Sequence, residues 1–126
     1  MPYSISWPDN TFLAQFSGTI TAKEVEEVNH AFSGDMRMEV VRYSIWDFSG
    51  ATSVAMPVNE IEYAAAFDKG VTYTRSSLKG ALIVTNDHVR DVVEKYLEVA
   101  DDLQVNWDTR VFDNIETARI WLDGRS

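Results

Sequence analysis

The chain has 126 residues, 45% of them hydrophobic and 25% charged, and 20 acidic against 11 basic residues give a net charge of −9. This length and composition predict one globular domain over residues 1–126, and the negative charge argues against a nucleic-acid partner, because it repels a phosphate backbone. The absence of cysteine removes disulfides, thiolate zinc sites and thiol redox chemistry.

In chain order, Met1 to Pro8 lacks the basic and apolar regions of a secretory signal. No apolar run anywhere approaches the roughly 18–20 residues of a spanning helix. No membrane insertion and a cytoplasmic location are expected. Tyr3, Ile5 and Trp7 alternate with serines, Pro8-Asp9-Asn10 supplies turn residues, and Phe12, Ala14 and Phe16 alternate again, which predicts a hairpin. Thr21 and Glu24 have capping-box spacing, so a helix starts there, with Val25, Val28 and Phe32 on its apolar side and Gly34 at its end.

A third strand is predicted over Tyr43 to Phe48, running into a tight loop of small residues from Ser49 to Ser53. Pro57 suits the first turn of a second helix, whose buried stripe is Ile61, Ala64, Phe67 and Val71, with Tyr63, Ala66, Gly70 and Tyr73 on a neighbouring one. Gly80 to Val84 is continuously apolar, as for a strand covered on both faces, and is expected in the middle of the sheet. Asn86 or Asp87 caps a third helix carrying Val89, Val92, Val93, Tyr96, Ala100 and Leu103 at helical spacing, with Asp91 and Lys95 as an exposed pair. Val105, Trp107 and Val111 alternate as a last strand. Asp113 and Glu116 open a closing helix with Ile115, Ala118 and Leu122 inside. The expected architecture is α/β, in the order ββαβαβαβα: a five-stranded mixed sheet, an antiparallel hairpin followed by parallel strands, with four helices.

Three stretches, Phe16 to Thr21, Trp46 to Gly50 and Phe112 to Leu122, resemble the SpoIIAA-like or STAS-type domain of anti-sigma factor antagonists, related to lipid-binding CRAL-TRIO domains. The resemblance spans nearly the whole chain and implies a fold more than a chemistry. It also implies an aspartate and a phosphorylatable serine at the start of the second helix. Ala55 and Met56 occupy those places, with Pro57 next, so the switch serine is missing.

The residues offer no recognisable catalytic centre. Neither His30 nor His88 has partners at metal-ligand spacing, and no nucleophile elbow, phosphate loop or calcium loop is present. No cofactor or metal is expected. His30 reads as a solvated partner of Glu26 and Glu27, and the acidic clusters read as solvated helix faces. Trp7, Trp107 and Trp121 read as core. Trp46 belongs either under helices or on an exposed platform.

These readings lead to a non-enzymatic interaction or regulatory domain of STAS type without the serine. Its contact surface is expected at Trp46, Ser49, Gly50, Thr52, Ser53, Met56 and Tyr63, against an unknown protein partner, and a homo-oligomer is compatible with the sequence. The alternative is a carrier or sensor of a small apolar ligand. An apolar cavity favours the carrier, and an exposed apolar patch at the helix start favours docking.

Overall fold

A computed structural model describes residues 3–124. The alternating N-terminal runs form the predicted hairpin: β1 (Tyr3–Ser6) lies antiparallel to β2 (Thr11–Thr21), with Ile5 opposite Ala14 and Tyr3 opposite Phe16. Between them, Asp9 and Asn10 take left-handed conformations, at φ 50° and 58°. Aspartate and asparagine tolerate that region because their short polar side chains can bond locally.

Thr21 caps α1 (Ala22–Ser33), its hydroxyl accepting from the Glu24 N–H at 3.3 Å. The carboxylate half of the expected box differs, since Glu24 Oε1 accepts from the Thr21 hydroxyl at 3.0 Å.

β3 runs from Tyr43 to Ala55. The small residues expected to form a loop are therefore its second half. β2 continues to Thr21 and offers them a parallel edge, with Gly18 opposite Ala51 and Thr21 opposite Ala55, so their backbone groups are satisfied in the sheet despite weak strand propensity. Two register shifts, between Gln15 and Ser17 and between Gly18 and Thr19, accommodate the pairing. Pro57 takes the cap position of α2 (Val58–Val71), just outside the first turn.

The remaining elements are β4 (Lys79–Ile83), α3 (Asp87–Asp102), β5 (Asp108–Phe112) and α4 (Ile115–Leu122). The single five-stranded sheet has the order β1-β2-β3-β4-β5, parallel from β2 onward. Its middle strand is β3, not β4 as expected. β4 is covered on both faces because helices lie above and below it. Strands added in one direction, joined by crossovers of one hand, put α1, α2 and α3 on the same face. α4 has no later strand to feed and folds onto the other, where Ala118 and Leu122 pack with Tyr43, Ile45, Ala81 and Ile83.

Three further expectations differ, two at element ends and one on the surface of α3. Asn114, not Asp113, caps α4 and accepts from the Thr117 N–H at 2.8 Å. The Val105 N–H closes the end of α3 onto the Ala100 carbonyl at 2.9 Å, so β5 starts only at Asp108. Lys95 pairs with Glu98 at 3.5 Å instead of with Asp91.

Candidate functional site

The larger core lies between the sheet and α1, α2 and α3. Its aromatic wall is β-borne: Trp46 stacks on Phe16 at 5.9 Å between centroids and lies 6.5 Å from Phe48. Trp46 is half-buried beneath the helices, which answers the question of which side covers it.

Beside this wall the layers do not close, and a cavity of about 110 Å³ remains. The cause is residue size. Gly80 in the floor has no side chain, Ala64 in the roof has only a methyl group, and the row across the sheet from Ser44 through Gly80 to Thr109 is small and polar. A Cβ at Gly80 would stand 3.1 Å from Ser44 Oγ and 3.5 Å from Thr109 Oγ1, so both hydroxyls flank the bare backbone. Ile20, Phe48, Val54, Leu82 and Val89 make the other end of the cavity apolar.

Two helices bring polar groups into this apolar space. Asp68 of α2 accepts a hydrogen bond from the hydroxyl of Tyr96 of α3, and both line the cavity. Burial pushes the Asp68 carboxyl up to about 7, and the Tyr96 bond, which favours the charged form, offsets only part of that rise. Burial first, and then the Asp68 charge, hold the Tyr96 phenol well above its ordinary range. The carboxyl therefore keeps its proton to higher pH than a free carboxylate does. Asn29 of α1 is 6% exposed. It lines the cavity, and its side-chain amide has no hydrogen-bond partner among the described residues.

A shallower recess lies between α1 and α2, lined by Glu26, Glu60, Tyr63 and Phe67 and sharing Val25, Asn29, Met56 and Ala64 with the cavity. Those four residues form the partition between the two spaces. His30 stands at this seam, exposed, 3.8 Å from Glu26 and edge-on to the Phe67 ring at 5.0 Å. Among the described residues no group of three His, Asp or Glu side chains is arranged to hold a metal ion.

Of the residues singled out in the sequence, Trp46 and Met56 line the cavity and Tyr63 is exposed on the recess. Ser49, Gly50, Thr52 and Ser53 line neither. They belong to the outer half of β3, which is latched to its neighbours: Ser53 Oγ and Thr19 Oγ1 are 2.8 Å apart, and the Thr52 carbonyl accepts from Asn86 Nδ2 at 3.3 Å. Met56 is half-buried instead of displayed.

Asp68 and Asn29 were missed as site residues, and Tyr96 was read only as part of an apolar stripe. The signal was present. Asp68 follows Ile61 by seven residues and Ala64 by four, and Asn29 follows Val25 by four and precedes Phe32 by three. A polar residue standing on an apolar stripe is what deserved weight.

Compared with known proteins, the chain matches no family model and no curated protein. No helix among the described residues is long and apolar enough to cross a membrane.

Proposed function

We propose that this chain is a non-enzymatic binding domain that holds a small, largely apolar ligand between its sheet and the helices α1, α2 and α3. The observation that carries this is the cavity of about 110 Å³, apolar at one end and carrying Asp68, Tyr96, Ser44 and Thr109 among its lining. Well-packed interiors leave few voids larger than a water molecule. Small-molecule sites combine an apolar lining with a few placed polar groups, and an apolar cavity of about 150 Å³ is known to accept one benzene ring. At about 110 Å³ this cavity is smaller than that, so one ring is the upper bound on the ligand.

The SpoIIAA-like resemblance is compatible with this reading, since it includes kinship with lipid carriers. The cavity favours the carrier or sensor over the docking module, because Met56 and Trp46, two of the expected contact residues, face inward.

Toluene tests the proposal. Saturable changes in tryptophan fluorescence are expected, because Trp46 and Trp107 line the cavity. Ala64→Leu should fill the roof, keep the fold and abolish the response. No saturable response in the wild-type protein, or an equal one in Ala64→Leu, overturns the reading.

A further inference from the structure

Among the described residues, the charged side chains that line the two spaces are all acidic, and His30 stands outside that lining, at the seam beside Glu26. Among the described residues, Asp68 is the only ionic side chain lining the cavity, Glu26 and Glu60 are the only ones lining the recess outside the partition, and no Lys, Arg or His lines either space. An anionic ligand such as a fatty acid or a phosphate ester would meet a carboxylate with no counter-charge, whereas a cation would meet one at the rim and another inside. The chain's net charge of −9 acts in the same direction at long range.

The remaining polar groups are neutral. Tyr96 of α3 occupies one position on Asp68, while Ser44 of β3 and Thr109 of β5 lie across the floor. Asn29, more than nine-tenths buried and without a side-chain partner among the described residues, adds an amide whose oxygen can accept a bond from a ligand N–H. Trp46, Trp107, Phe32 and Phe48 present aromatic surface in the same lining, which favours both an apolar body and a nearby positive charge.

We infer that the ligand is a small apolar amine, its ammonium group at the Asp68 carboxylate and its hydrocarbon body against the aromatic wall. The inference rests on the binding reading above and adds the chemical class. An ammonium supplies the counter-charge that burial denies Asp68, and it donates to carboxylate, amide and hydroxyl oxygens alike. The seam between α1 and α2, with Glu26 and Glu60 at its rim, lies across Val25, Asn29, Met56 and Ala64 from the cavity.

Four one-ring probes test this by titration calorimetry at neutral pH: benzylamine, benzyl alcohol, benzoate and toluene, each against the wild-type protein and Asp68→Asn. Benzylamine should bind at least tenfold more tightly than benzyl alcohol or toluene, and benzoate should bind most weakly. Asp68→Asn should erase the preference for benzylamine and leave toluene within about twofold of its wild-type affinity. If toluene binds but benzyl alcohol or benzoate equals benzylamine, or if Asp68→Asn leaves benzylamine unchanged, the amine inference fails and the apolar binding site stands. If no probe binds, both fail. Should Asp68→Asn fail to fold, the ranking of the four probes on the wild-type protein decides alone.

Discussion

Replacing Asp68 by asparagine should change how stability depends on pH. The side chain keeps its size and still accepts the Tyr96 hydroxyl, but it no longer ionises in a half-buried site beside the cavity. In the wild-type protein the carboxyl is raised from an ordinary 3.8 to about 7. Well below pH 4 it is protonated in both folded and unfolded chains and makes no difference. Between about pH 4 and 7 the unfolded chain gives up the proton while the folded one retains it, so stability falls as pH rises. Above about 7 both are ionised, and the destabilisation levels off near 4 kcal/mol, from roughly three pKa units at about 1.4 kcal/mol each. Urea unfolding at pH 5 and pH 8 isolates this, because every other titrating group is common to the two proteins. The stability of Asp68→Asn relative to wild type should rise by about 2.5 kcal/mol over that interval. Any fixed cost of seating the amide NH₂ cancels in the difference. Curves that run parallel to within about 0.5 kcal/mol would refute the claim that this carboxyl is buried away from water.

Three further outcomes concern the frame around the site. Gly50→Ala should cost about 1–3 kcal/mol in urea unfolding, because a Cβ there would stand 2.8 Å from the Phe16 carbonyl oxygen. Gly70→Ala, where a Cβ meets nothing within 4 Å, should instead stabilise α2 by up to about 1 kcal/mol. Arg75 donates to the Met38 and Val41 carbonyls at 2.8 Å each, and its own carbonyl accepts from Trp107 Nε1 at 2.7 Å. Arg75→Ala should therefore cost about 2–3 kcal/mol and lower hydrogen-exchange protection around Val41; lysine should restore only part, since an ammonium lacks the guanidinium fork.

The alternations Tyr3-Ile5 and Phe12-Ala14-Phe16, the Thr21 cap, the stripes of α1 and α3 and the apolar run of β4 were all legible, because propensity, capping and periodicity act over a few neighbouring residues. They sufficed for the element order and the mixed sheet. Ser49 to Ser53 were not legible as strand, because what makes them extended is the far edge of β2, a partner about thirty residues away in the chain. The position of β4 beside the centre of the sheet, and not in it, was hidden for a related reason: burial on both faces looks the same whether it comes from central placement or from α4 folding over the second face. Within the site, the sequence by itself singled out Trp46 and Met56, but as parts of a contact surface and not as cavity lining. It also held the clue of a carboxylate and an amide on apolar stripes. Whether Asp68 meets Tyr96, and whether Ala64 stands over Gly80 to leave a cavity, depended on how three helices cross one sheet. Volume and desolvation are properties of surroundings assembled from distant parts of the chain, so only the tertiary structure decided them.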